Sequence, residues 1–144
     1  MQKRFNFKEV APSALKAMVG LEMYLSKASI PKTSKELIKI RASQINGCAY
    51  CINMHTADAR KYGVSEQRIY LLSAWREADV YTEEEKAILA LTEQVTLINK
   101  HVSEEVYQNA ARLFDEKYLA EIIMMIITIN AWNRIGVTTG LRAM

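Results

Sequence analysis

The stretch TSKELIKIRASQINGCAYCINMHTADARKYG, residues 33–63, carries the strongest indications of the fold. Apolar residues recur at helical spacing on both sides of Asn46-Gly47, a dipeptide typical of tight turns. Gly63 follows the second segment, at the position where a helix commonly ends. The stretch therefore predicts two consecutive helices that reverse at Gly47 and form an antiparallel helical hairpin.

Glu36 allows two interpretations. Thr33 and Glu36 have the spacing of a capping box, in which both side chains bond free backbone N–H groups at a helix start. On this interpretation the first helix begins at Thr33. In a hairpin that reverses at Gly47, however, Glu36 also faces residue 57, within one turn of His55. A structural cap and a chemical role for Glu36 both stay open.

The remainder of the chain also shows helical patterns, with few turn residues. Only 5 Gly and 2 Pro occur in 144 residues, too few for the many turns of an all-β protein. Five further helices are indicated by start signals or apolar periodicity, beginning near Pro12, Ser65, Thr82, Ser103 and Glu116. We therefore predict an all-α bundle of about six to seven helices in a single domain, 1–144, with its motif core at about 34–100.

Composition and charge exclude several classes of protein. Half of the residues are apolar and 24% are charged, as in ordinary globular proteins. The net charge is +3, with no basic stripe of the kind that nucleic-acid binders carry. No segment reaches the roughly 20 apolar residues that span a bilayer, and the first ten residues lack an apolar signal-peptide core. We expect a cytoplasmic protein that binds neither nucleic acid nor membrane.

Cys48, Cys51 and His55 form the group best suited to chemistry. Positions i, i+3 and i+7 share one helix face, and Cα atoms three residues apart lie about 5–5.5 Å from each other, a span that a disulfide bridges. So short a loop would stabilise the fold only slightly, which indicates a redox couple. A zinc site is the alternative, but zinc takes four ligands and the other histidine, His101, lies far along the chain.

Two effects favour a thiolate, and they point to different cysteines. Cys48 lies in the first helical turn, where free N–H groups and the helix dipole stabilise negative charge. Cys51 lies one turn before His55, which can act as a base or as a cationic partner. Since a base also gives the proton a path, we expect Cys51 to be the nucleophile, and attack by Cys48 remains the alternative.

The combined spacing of Glu36, Cys48-x-x-Cys51 and His55 resembles the catalytic signature of the alkylhydroperoxidase D-like, carboxymuconolactone decarboxylase family. The resemblance extends through GCAYCINMHTADARKYG and LSAWREADVYTEEEKAILALTEQVT and covers roughly residues 34–135. It implies an all-helical homo-oligomer, a trimer or hexamer, that reduces hydroperoxides in antioxidant defence. The better-known hydroperoxidases of the family carry a His between the two cysteines, where this chain has Tyr50.

By this resemblance Cys51 is the peroxidatic thiol, Cys48 resolves it into a disulfide, and Glu36 with His55 moves the proton. The implied partners are an organic hydroperoxide and a dithiol reductant of lipoyl or thioredoxin type, and we expect no cofactor and no metal. Two other functions remain open. One is a cofactor-free decarboxylase or isomerase of a small acid that uses Glu36 and His55. The other is a non-enzymatic redox sensor.

The last predicted helix indicates self-association. Residues 122–127, Ile-Ile-Met-Met-Ile-Ile, leave no polar face across nearly two turns. A helix that is apolar all round is buried all round, and an exposed apolar face of this size is unusual for a soluble monomer. We therefore expect a homo-oligomer whose interface uses this helix, with Met125 as one of its contact residues.

Overall fold

The computed structural model describes residues 3–143, which contain helices and no strand. The helices are α1 (Phe7–Val10), α2 (Pro12–Ser26), α3 (Lys32–Asn46), α4 (Ala49–Lys61), α5 (Glu66–Leu71), α6 (Glu83–Thr96), α7 (Glu104–Leu113) and α8 (Glu116–Thr139). Short 3₁₀ turns, Leu72–Glu77 and Ile98–Lys100, follow α5 and α6. The all-α prediction is confirmed. The described residues hold one helix more than expected, because α1 is a single turn without a strong sequence signal.

The predicted hairpin of α3 and α4 is present. Gly47 has a φ of +66°, the left-handed conformation that glycine adopts at helix ends at little cost. The N–H of Cys48 donates to the carbonyl of Ser43 at 3.0 Å, which closes the end of α3. The chain therefore passes directly from α3 into α4, and the first turn of α4 lies beside the last turn of α3.

The capping box predicted at Thr33 is wrong. The N-cap of α3 is Pro31, two residues before Thr33, and no side chain caps the first N–H groups of the helix. Glu36 is turned inward and is only 4% exposed, because its carboxylate binds His55 and Lys39. The same signal at Thr82 is correct, since Thr82 and Glu85 form both hydrogen bonds of a capping box at the start of α6.

α8 is the central helix of the core. It packs against α2, α3, α4, α6 and α7. Its fully buried apolar side chains include Ile122, Met125, Ile126 and Ile129. By length and composition alone α8 could cross a membrane, but half of its apolar window is buried inside this chain. Burial against five neighbouring helices is what a core helix of a folded domain shows, and it accounts for the absence of a polar face at residues 122–127.

The choice of Met125 as an interface residue is wrong, because its side chain is 1% exposed within its own chain. α2 packs on α8 through one face and leaves three apolar side chains, Val19, Met23 and Tyr24, at least 45% exposed. Ile127 is the exposed member of the apolar segment of α8. The homo-oligomer stays a prediction, and the exposed apolar side chains available to an interface include those of α2 and Ile127 of α8.

Glu93 on α6 joins three separate segments. Its Oε1 accepts hydrogen bonds from Arg41 Nε and Trp75 Nε1, both at 2.8 Å, and its Oε2 accepts one from Arg76 Nη1 at 2.5 Å. Burial by itself would raise the pKa of the Glu93 carboxyl, but the hydrogen bonds from Trp75, Arg76 and Arg41 outweigh burial and hold the pKa below its ordinary value. The carboxylate thus ties α3, the 3₁₀ turn and α6 together.

Replacing Glu93 with Gln should lower the free energy of unfolding by about 1–3 kcal/mol at neutral pH, because two guanidinium groups lose their charged acceptor. A carboxyl whose pKa is depressed on folding stabilises the protein above its unfolded pKa, and this contribution disappears as the pH falls through the folded value. Urea unfolding at pH 7 and at about pH 3 measures the difference. A difference between wild type and variant that does not shrink at the lower pH would contradict the assignment.

Replacing Met125 with Lys should destabilise the monomer itself by more than about 3 kcal/mol, because an ammonium would be buried in an apolar core without a partner. The matched variant Met23→Lys, on the exposed face of α2, should melt within a few degrees of wild type. Thermal unfolding followed by circular dichroism compares them. If Met125→Lys melts like wild type and only dissociates in sedimentation, α8 is the interface after all. Dissociation of Met23→Lys would instead assign the interface to α2.

Candidate active site

Cys48 and Cys51 lie at the start of α4 and are joined as a disulfide, with their Cα atoms 5.3 Å apart. Cys48 is the N-cap residue, and its Sγ accepts a long hydrogen bond from the N–H of Cys51 at 3.4 Å. Both side chains are buried. The helical spacing predicted for the pair is therefore confirmed, and the two sulfurs lie at the N-terminal end of the α4 dipole, where negative charge on sulfur is stabilised.

Glu36 and His55 are in direct contact, as the hairpin geometry predicts. His55 Nδ1 donates to Glu36 Oε2 at 2.9 Å, and both side chains are buried. A carboxylate on Nδ1 holds the hydrogen there and leaves Nε2 as the acceptor nitrogen. His55 lies one helical turn after Cys51, and both residues line one cavity. The arrangement can accept a proton at Nε2 while Glu36 orients the ring.

Two further charged side chains lie next to this pair. Lys39 Nζ contacts the other oxygen of Glu36, Oε1, at 3.0 Å. Asp58, one turn after His55, has a carboxylate oxygen within 4.8 Å of ligand atoms of Glu36 and His55, so the three have a spacing that could hold a metal ion. Asp58 already pairs with Lys61 at 3.0 Å. A metal ion would have to displace the ammonium groups of Lys39 and Lys61 from these carboxylates. We therefore interpret the group as a cluster of ion pairs.

His101 is not brought to the cysteine pair. It follows the second 3₁₀ turn and lines a separate depression together with Arg76 and Glu93. A zinc site formed by Cys48 and Cys51 would need a further ligand besides His55, and His101 does not supply it.

A cavity of about 440 Å³ opens beside Cys51 and His55. Its walls are mainly apolar and include Phe7, Leu15, Tyr50, Met54, Trp132 and Ile135. Cys51 contributes to the lining and Cys48 does not, so Cys51 is the sulfur that a molecule in the cavity would meet. Tyr50, which stands where the better-known hydroperoxidases of the family carry a His, is 38% exposed and forms part of this wall.

Sequence reasoning missed Gly136 on α8. A Cβ at this position would lie 3.4 Å from Cys48 Sγ and 3.8 Å from Cys51 Sγ, so the missing side chain lets α8 approach the disulfide closely. One turn earlier, Asn133 is fully buried and donates to Ser43 Oγ at 2.9 Å, next to the carbonyl that closes onto Cys48. Asn130 belongs to the same network through Asn46. The signal available in the sequence was the spacing of these polar or small residues, which recur every three positions in an otherwise apolar helix.

Sequence reasoning also missed the N-terminal segment. Arg4 binds the end of α8 through its backbone N–H to Thr139 O at 2.9 Å and its side chain to Thr138 O at 2.8 Å. This attachment carries Phe5 and Phe7 into the wall of the cavity. The two aromatic residues in RFNF were the available signal, because large apolar side chains gain free energy from contact with an apolar surface.

Comparison with known proteins identifies the family of this chain. The model of the carboxymuconolactone decarboxylase family matches residues 12–94, which include all four predicted site residues. The uncharacterized protein YdfG of Bacillus subtilis (strain 168) is 49% identical over 144 residues, 99% of this chain and 98% of that protein. A solved structure from Agrobacterium tumefaciens, of unknown function and suggested to be an antioxidant defence protein AhpD, is 38% identical with a TM-score of 0.96 over 99% of both chains.

A further solved structure, that of the debrominase Bmp8, is 25% identical with a TM-score of 0.82, over 90% of this chain and 70% of the debrominase. A cysteine-to-alanine variant of that enzyme has been solved with 2,3,4-tribromopyrrole. The family and the all-helical fold expected from Glu36, Cys48, Cys51 and His55 are confirmed by these similarities: the chain belongs to the carboxymuconolactone decarboxylase family.

Proposed function

We propose that the protein is a thiol-dependent reductase of organic hydroperoxides. One observation carries this proposal: Cys51, half of a disulfide, shares a cavity with His55, which Glu36 holds at 2.9 Å. Family membership and the similarity to a structure suggested to be AhpD support an antioxidant role.

The proposed reaction begins with the reduced pair. His55 Nε2 takes the proton of the Cys51 thiol while its Nδ1–H donates to Glu36. The thiolate attacks one oxygen of the hydroperoxide, an S–O bond forms, the O–O bond breaks, and the alkoxide leaves as an alcohol with the proton from His55. Cys48 then attacks the sulfenic sulfur of Cys51, the S–S bond forms, and the hydroxyl leaves as water with the Cys48 proton. Two thiols and one hydroperoxide become a disulfide, an alcohol and water.

An external dithiol would restore the thiols by supplying two electrons and two protons through thiol–disulfide exchange. Because both sulfurs are buried, such a reductant must reach Cys51 through the cavity. A slender dithiol of lipoyl type, or an exposed thioredoxin-type dithiol that reaches the mouth of the cavity, meets this requirement.

The cavity favours a bulky organic hydroperoxide over hydrogen peroxide. Its apolar wall gives each buried carbon of a substrate a favourable transfer free energy, about 0.8 kcal/mol per CH₂ group. Hydrogen peroxide has no carbon and gains nothing from this wall. A volume of about 440 Å³ lies within the range of small-molecule sites.

Reductive dehalogenation is a second candidate, favoured by the aromatic wall beside Cys51, which includes Tyr50 and Trp132. Replacing a carbon–bromine bond with a carbon–hydrogen bond takes two electrons, the number that one cysteine pair supplies. The similarity to a debrominase makes 2,3,4-tribromopyrrole the test compound for this candidate.

The deciding experiment is turnover of cumene hydroperoxide by the reduced protein with dihydrolipoamide as reductant. We expect repeated turnover, a higher kcat/KM than for hydrogen peroxide, and loss of activity when both cysteines are replaced by Ser. A decarboxylase or isomerase that uses Glu36 and His55 would survive that double substitution. A redox sensor would be oxidised once and would not turn over. Bromide release from 2,3,4-tribromopyrrole without hydroperoxide turnover would favour the second candidate.

Cys51 should be the thiol that attacks first, since it lines the cavity and lies one turn from His55. In the Cys48→Ser variant, a dimedone-type probe should trap a sulfenic acid on Cys51 after one equivalent of hydroperoxide. Peptide mass spectrometry locates the adduct. Trapping on Cys48 in the Cys51→Ser variant, with none on Cys51 in the first variant, would reverse the assignment.

Replacing Glu36 with Gln should slow hydroperoxide reduction by about 10²-fold, the usual scale for a lost acid–base group. Gln keeps the shape of the side chain, and the start of α3 does not depend on Glu36 because no capping box forms there. The matched control is Glu85→Gln, which removes a carboxylate from a real capping box outside the lining of the cavity. Equal rates for Glu36→Gln and wild type would leave Glu36 with a structural role only.

A further inference from the structure

Lys39 is the charged neighbour of the site to which neither the motif nor the family resemblance gives a role. It lies one turn after Glu36 on α3, and its Nζ is 3.0 Å from Glu36 Oε1. Its side chain is 14% exposed and lines the same cavity as Cys51 and His55. Glu36 therefore uses one oxygen for an imidazole and the other for an ammonium group.

The charge of Glu36 creates a difficulty for the proposed chemistry. A buried carboxylate 2.9 Å from an imidazole stabilises the imidazolium, since opposite charges attract strongly where water is excluded. An imidazolium has no free nitrogen lone pair and cannot take the proton of a thiol. The pair of Glu36 and His55 alone would therefore favour the protonation state that is inactive as a base.

A second cation on the same carboxylate acts in the opposite direction. The Lys39 ammonium balances the carboxylate charge and repels a positive charge on the neighbouring imidazole. We infer that Lys39 is a positioning residue that keeps His55 uncharged, and so able to accept the Cys51 proton, by balancing the charge of Glu36. The inference rests on the proposed function, because it takes Cys51 as the thiol that His55 deprotonates.

The other charged groups near His55 are paired, hydrogen-bonded or exposed. On α4, Asp58 pairs with Lys61 at 3.0 Å. On α2, Glu22 accepts a hydrogen bond from Trp132 Nε1 at 2.9 Å. Lys3 and Lys8, from the N-terminal segment, line the cavity from exposed positions where water screens their charge. The α8 part of the wall is uncharged, with Trp132, Ile135, Gly136 and Thr139.

The test is the titration of His55 in the reduced protein, followed by NMR of the imidazole Cε1–H. The chain has 2 histidines, and His101, which lines a separate depression, serves as the internal reference. In Lys39→Met the titration midpoint of His55 should rise by about one pH unit relative to wild type, the effect of losing one nearby charge. The titration midpoint of His101 should not move.

Two controls separate charge from packing. Lys39→Arg keeps the cation and should hold the His55 midpoint near that of wild type. Lys35→Met removes a lysine one turn earlier on α3, whose ammonium binds the carbonyls of Leu25 and Ala28, and should leave the midpoint unchanged. Lys39→Gln replaces Lys39→Met if the latter does not fold, with the same expected rise.

An unchanged or lowered His55 midpoint in folded Lys39→Met or Lys39→Gln would overturn the inference, whatever the activity of the wild type. A raised midpoint in a protein that turns over no hydroperoxide would overturn the proposed function and leave the charge balance at His55 intact. The two failures are therefore distinguishable by titration and turnover measured on the same samples.

Discussion

The contact between Glu36 and His55 is the constraint on which the arrangement of the site depends. Removing a carboxylate and an imidazole from water is costly unless each finds a partner, and at 2.9 Å each is the partner of the other. One residue lies on α3 and the other on α4, so the pair specifies the register of the hairpin. That register places the first turn of α4, with both sulfurs, beside the end of α3. A slip of one residue along either helix would separate the pair.

α8 supplies the third side of the site. Its Asn133 reaches Ser43 at the end of α3, and its Gly136 lies against the two sulfurs. Its last turn anchors the N-terminal segment, which carries Phe7 into the wall of the cavity. α8 thus has two functions that its sequence combines. Apolar residues bind it into the core, and a few polar or small residues on one face shape the surroundings of the disulfide.

The burial of the redox pair has a kinetic consequence under the proposed function. Hydroperoxide and reductant both need the sulfur of Cys51, and the cavity leads to that sulfur while Gly136 and α8 cover the side of Cys48. The two substrates therefore compete for one space and must use it in turn. Such an enzyme follows ping-pong kinetics, with the hydroperoxide converted to alcohol before the dithiol enters.

The sequence by itself determined the helical class, most helix starts, the reversal at Gly47 and the approach of Glu36 to His55. These features depend on local spacing, which a helix of 3.6 residues per turn converts directly into positions on a face. The tertiary structure alone decided that Glu36 does not cap α3. It also decided that Met125 belongs to the core and Met23 to the surface. The residues that adjoin the site from elsewhere in the fold are Lys39, Gly136 and Phe7. Each of these features depends on which helices pack together. A contact between residues as far apart in sequence as Cys48 and Gly136 produces no periodic pattern in the sequence.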